Sequence, residues 1–150
     1  MHFREATKHD LATIVQHLAT DPLGAKREQF EMPLPTAYHE AFDAIDTDPN
    51  HILVICEIEE EIAGFFQLSY LPNLTYVGKW RAQIEGVRVV AAHRRKGVGR
   101  AMFEYAIQQT KDRGCHLLQL TTDKTRPEAL QFYESLGFKA SHEGMKLKLL

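Results

Sequence analysis

Between Ile84 and Arg113 a strand-like run, a basic turn carrying two glycines and a helix-period segment follow one another without a break. Trp80 to Val90 alternates as a strand, which places Ile84, Gly86 and Arg88 on one face and Glu85, Val87 and Val89 on the other. Gly86 inside that run suggests a bulge or a close backbone approach. Downstream, Val98, Ala101, Met102, Tyr105 and Ala106 recur at helical spacing, and Gly114 reads as the C-terminal cap. The turn from Ala91 to Gly99 lets the main chain come close to a ligand. It also opens a helix whose first amides lack internal partners and lie at the positive end of the dipole. Between Arg88 and Arg100 stand Arg88, Arg94, Arg95, Lys96 and Arg100 with His93 and with no acid among them. The unit predicts a cradle for pyrophosphate, with Arg95, Lys96 and Arg100 adding charge-assisted contacts.

The rest of the chain reads as elements around this unit. Phe3 to Ala6 is a short strand, and Thr7 with Asp10 resembles a capping box opening a helix through Leu11, Ile14, Val15 and Leu18. Asp21 to Pro35 carries three prolines and reads as a loop able to border a substrate site, and Thr36 to Ile45 as a second helix. His51 to Ile58 and Ile62 to Leu71 are strands joined by the acidic turn Glu59-Glu60-Glu61. Cys115 to Thr122 is a further strand. Thr125 with Glu128 repeats the capping-box pattern ahead of the apolar stripe Ala129, Phe132, Tyr133 and Leu136, and Phe138 to Ala140 and Met145 to Leu149 are strand-like. No repeat, low-complexity segment or linker divides residues 1–150, which predicts one α/β domain.

Composition closes off other classes. Hydrophobic residues at 44% and charged residues at 25% are globular values, and no apolar run approaches a membrane span, so a soluble, cytoplasmic chain is expected. A net charge of −2 and the lack of aromatics interleaved with the bases disfavour nucleic acid as a partner. Cys56 and Cys115 lie in separate apolar runs, as free thiols do. No His-Glu-x-x-His or paired-cysteine spacing occurs, so no metal is expected, and His93 is expected at the surface or on the phosphate rim.

Two nucleotide-binding readings of the turn fail at specific positions. A Walker A loop needs a Gly-Lys-Ser/Thr ending that occurs nowhere. A dinucleotide fingerprint needs a glycine where Met102 stands and an acid about twenty residues on, which Leu117 to Leu120 does not supply. The turn Arg94-Arg95-Lys96-Gly97-Val98-Gly99 instead resembles the Gln/Arg-x-x-Gly-x-Gly/Ala signature of the GNAT acetyltransferase superfamily. The segment Ala129 to Phe138 resembles the same family's Ala-x-x-x-Tyr-x-x-x-Gly-Phe ending. The resemblance implies a mixed, mostly antiparallel twisted sheet of six to seven strands flanked by four helices and splayed between its two central parallel strands. It also implies acetyl-CoA as donor, with the main chain at Val87 and Val89 meeting pantetheine or the acetyl carbonyl, and the amides from Arg95 to Arg100 holding the pyrophosphate. Arg126 stands where the family often has an asparagine toward the cofactor arm, and it could meet a CoA phosphate or an acidic substrate. A homodimer is a further implication of the family alone.

Amine attack on a thioester needs a neutral amine, and an alkyl amine with a pKa near 10.4 must lose a proton to a base or a water chain at neutral pH. Glu85 is the candidate base; paired with a neighbouring arginine it would be structural instead. Tyr133 is the candidate acid for the leaving sulfur, since its phenol donates at physiological pH, while its spacing also suits the buried stripe. The Val89 amide would serve the oxyanion. Neither cysteine has an adjacent base, which favours direct transfer over an acyl-enzyme. The expected activity is N-acetylation of a primary amine on a small molecule or protein. The alternative is a silent CoA-binding sensor or regulatory module.

Overall fold

The computed structural model describes all residues from Met1 to Leu150, and the chain divides into two compact units, Met1–Gln119 and Leu120–Leu150. In the first, β1 (His2–Glu5), α1 (Leu11–Thr20) and α2 (Thr36–Thr47) are followed by β2 (His51–Ile58) and β3 (Glu61–Leu71). The single turn α3 (Thr75–Gly78), β4 (Arg81–Val89), α4 (Val98–Asp112) and β5 (Leu117–Gln119) complete it. The strands lie in sequence order, β1 to β4 antiparallel and β5 parallel to β4.

Local chemistry accounts for the joints. The Asp10 carboxylate accepts from the Thr7 main-chain N–H at 2.7 Å, which starts a short 3₁₀ turn that runs into α1. The Arg4 guanidinium grips the same carboxylate at 2.8 and 2.9 Å and gives its Nε to Glu57 of β2 at 2.6 Å. These hydrogen bonds from Arg4, reinforced by Thr7 and opposed by burial, hold the Asp10 carboxyl below the usual carboxylate range. The β2–β3 hairpin turns through Glu59 and Glu60, both left-handed (φ 52° and 65°), the twist that a two-residue connection requires.

The sheet buries apolar residues under the helices on both of its faces. Toward α1 and α2, Ile55 and Phe65 join Leu11, Ile14, Val15, Leu34 and Phe42 in one cluster. Toward α4, Phe66, Leu68, Ala82 and Ile84 are buried along with Val98, Met102, Phe103 and Ala106 of the helix. Each fully buried phenylalanine contributes roughly 1.5–3 kcal/mol over exposure. Tyr105 of α4 stacks on Phe3 at 4.4 Å and meets Phe66 edge-on at 6.5 Å.

The sheet has five strands, fewer than the six to seven expected. The expected strand from Cys115 to Thr122 shortens to Leu117–Gln119, and neither Phe138 to Ala140 nor Met145 to Leu149 forms a ladder. Alternation supplies a strand's pattern, but a strand exists only when a neighbour takes its main-chain groups. Both thiols are free, Cys56 buried and Cys115 half-buried, and burial raises the pKa of each. No helix is long and apolar enough to cross a membrane.

Candidate active site

The β4 strand begins fully paired and ends with one edge open. Its parallel ladder with β5 covers Arg81↔Leu117, Ala82↔Leu118 and Gln83↔Gln119; from Ile84 to Val89 that edge has no partner strand in this unit. On the other edge, Gln67↔Glu85 is followed by Phe65↔Arg88, so two residues of β3 span three of β4. The extra residue is accommodated by Gly86 at φ +62°, a bulge that only a residue without Cβ enters at little cost. The bulge corrects the faces expected from simple alternation. Arg88 rejoins the Glu85 face, and Val89, opposite Gly64, moves to the Ile84 side.

Beyond β4 the chain makes a short 3₁₀ turn at Ala91–His93 and enters the basic segment. Arg94 is extended, Arg95 is left-handed at φ +60°, and Gly97 caps α4 at φ +80°. Alternating left- and right-handed residues turn successive N–H groups toward one concave side. The first bond of α4 runs from Ala101 N–H to Gly97 C=O at 3.0 Å, so the amides from Arg95 to Gly99 donate to no main-chain carbonyl. Arg94, Arg95, Lys96 and Arg100 are exposed around them, and Val98 is buried as the anchor. Unspent amides, the helix dipole and a cationic rim together form a site that fits a pyrophosphate. His93 departs from expectation: its side chain is only 12% exposed, its Nδ1 is buried without a partner, and its Nε2 lies 3.8 Å from Glu61.

Glu85 is exposed and takes part in no ion pair, and Arg88, on the same face, pairs with Asp21. Arg88 places Nη2 3.1 Å from Asp21 Oδ2, both side chains less than a fifth exposed, and donates Nη1 to the Val87 carbonyl at 2.8 Å. Asp21 is the first residue after α1, so this pair fastens the Asp21 to Pro35 loop to the strand that carries Glu85, Val87 and Val89. The loop is held at its far side too: the Tyr38 hydroxyl donates to Glu28 at 2.9 Å and accepts from the Gln29 N–H at 3.0 Å. Two members of this neighbourhood escaped the sequence reading. Gln67, opposite Glu85, and Asp21, against Arg88, are brought there by strand register, which no local pattern records.

The second unit holds α5 (Pro127–Ser135). Its expected Thr125 and Glu128 capping box does not form; the Asp123 carboxylate accepts from the Thr125 N–H at 2.9 Å and its hydroxyl at 2.7 Å, and Arg126 takes the N-cap position. The Tyr133 ring lies 5.6 Å from Phe132 and 6.2 Å, edge-on, from Phe138, an aromatic cluster within this unit.

The sequence profile described as Acetyltransferase (GNAT) family matches residues 15–138, running through both units. The chain belongs to that family. Among curated relatives of this GNAT chain, a glucosamine 6-phosphate N-acetyltransferase of Trypanosoma brucei brucei is 32% identical over 59% of this chain and 58% of its own length. An aminoalkylphosphonate N-acetyltransferase of Salmonella typhimurium is 26% identical over 71% of this chain and 68% of its own. A solved transcriptional regulator from Bacillus halodurans C-125 is 53% identical with a TM-score of 0.96, covering 99% of both chains. An acetyltransferase structure from Agrobacterium tumefaciens, 24% identical with a TM-score of 0.87 over 99% of both chains, shares the fold.

Proposed function

We propose that this GNAT chain is an N-acetyltransferase that carries acetyl from acetyl-CoA to a primary amine by direct attack on the thioester. The observation behind this reading is the cradle. Partnerless amides at the start of α4 follow a strand that has no partner strand of its own unit along one edge from Ile84 to Val89, where a pantetheine arm can take main-chain hydrogen bonds. The pyrophosphate is assigned to the amides and side chains of Arg94, Arg95, Lys96, Gly97, Val98, Gly99 and Arg100, the pantetheine and acetyl carbonyl to the main chain at Val87 and Val89, and Arg126 to a CoA phosphate.

Glu85 takes the proton from the attacking ammonium, directly or through water; its exposure and freedom from ion pairs suit that role. The amine nitrogen then bonds to the acetyl carbon, the Val89 N–H stabilises the oxyanion, and the C–S bond breaks as Tyr133 gives a proton to the departing sulfur; the surplus proton on nitrogen leaves to water, and water restores the Tyr133 hydroxyl. The Tyr133 role rests on its place in the second motif. Thiol release from acetyl-CoA across a panel of amines tests the reading, and turnover with at least one primary amine is expected. Tight acetyl-CoA binding with no turnover on any amine would overturn it in favour of a sensor.

A further inference from the structure

The α1/α2 face of the sheet changes character partway across. Strand pairing places Leu53, Gln67 and Glu85 in one row of that face and His51, Ser69, Gln83 and Gln119 in the next. Ile55, Leu53 and Phe65 lie in or against the apolar cluster under the helices. Beyond them, on β3, β4 and β5, every position in the two rows is polar: Gln67, Ser69, Gln83, Glu85 and Gln119. A face serving only as core would carry apolar residues there, as the opposite face does with Leu68, Ala82 and Ile84.

These polar groups are only partly spent on one another. Gln119 Nε2 donates to Gln83 Oε1 at 2.9 Å, and Ser69 Oγ pairs with His51 Nδ1 at 2.8 Å. The only side-chain hydrogen bond of the Gln67 amide is a long one, 3.5 Å to Ser69 Oγ. The Gln67 carbonyl, the Gln83 amide nitrogen and the Gln119 carbonyl therefore keep unused capacity, and none of them is sealed from water. Glu85 is the register partner of Gln67 on β4, on the same face of the sheet.

We infer that this patch is the acceptor floor and that it selects a hydroxylated primary amine, whose ammonium meets Glu85 while its hydroxyls exchange hydrogen bonds with Gln67 and Gln83. The inference rests on the acetyltransferase reading above and gives it a substrate class. An acceptor of equal size without hydroxyls strips water from these amides and returns nothing, which costs roughly tenfold in affinity for each group left unpaired.

The test compares glucosamine with cyclohexylamine, ring amines of similar size, in steady-state acetylation by the wild type, Gln67→Leu and Gln83→Leu. The wild type should prefer glucosamine by tenfold or more in kcat/KM. Each leucine variant should raise the glucosamine KM about tenfold, leave the acetyl-CoA KM unchanged and narrow the preference. Equal use of both amines by the wild type, or an unaltered preference in both variants, would overturn the floor while leaving the acetyltransferase reading intact. Failure to acetylate any amine in the wider panel would overturn both.

Discussion

Gly97 is where the cradle can be probed with a change whose two consequences separate. Its φ of +80° and ψ of 6° are left-handed, and a Cβ built there meets no heavy atom within 4 Å. A side chain therefore clashes with nothing in the protein, and the folding cost reduces to the backbone term, about 1–2 kcal/mol for an ordinary L-residue. For a chain of this size that lowers Tm by roughly 2–8 °C. Asparagine, which tolerates the left-handed region, should fall at the low end and β-branched valine at or beyond the high end. Binding responds for another reason. The open space in front of Gly97 is where the proposed phosphate approaches the amides, so a valine side chain should deny it at least one charge-assisted hydrogen bond. That is about 1.5–3 kcal/mol, or roughly 10- to 100-fold in acetyl-CoA affinity. Thermal unfolding gives the first quantity and titration calorimetry the second. A folded Gly97→Val protein that binds acetyl-CoA within twofold of wild type would refute the assignment of this turn.

Three further substitutions probe the other roles. Glu85→Gln should cut turnover about 10²-fold at neutral pH, with recovery at higher pH as the amine loses its own proton and acetyl-CoA affinity unchanged; a wild-type pH-rate profile would make Glu85 a bystander. Tyr133→Phe keeps the ring contacts with Phe132 and Phe138 and removes only the hydroxyl. It should slow single-turnover acetyl transfer by about 10²-fold or more in rapid quench, and an unchanged rate would leave Tyr133 a packing residue. Asp10, whose carboxyl pKa is depressed by Arg4, contributes stability that is present above the unfolded carboxylate pKa of about 3.9 and lost as pH falls through its lower folded value. Asp10→Asn should lose roughly 1.5–3 kcal/mol at pH 7 in urea unfolding and show a shallower decline below pH 4; an identical acid limb would contradict the pairing.

Much of this molecule is legible residue by residue because its physics is local. The capping residues Thr7 and Asp10, the turn at Glu59 and Glu60, and the sequence of strand, basic turn and helix around Gly97 depend on atoms a few positions apart. Hydrogen-bond geometry and backbone sterics decide them before any long-range contact forms. Other features follow from pairing between distant segments, and there the sequence pattern misleads or is silent. Strict alternation separates Glu85 from Arg88, yet the bulge at Gly86 unites them on one face, because β3 supplies two residues against three. Alternation from Met145 to Leu149 spells a strand, yet none forms, since apolar spacing cannot supply the neighbouring main chain that a ladder needs. Asp21 meets Arg88, and Gln67 faces Glu85, only because the sheet's register brings them together. The glycine-bearing basic turn was thus written into a short stretch of sequence, whereas the face beside it, where Glu85, Gln67 and Gln83 share one side of the sheet, was decided by how separate strands align.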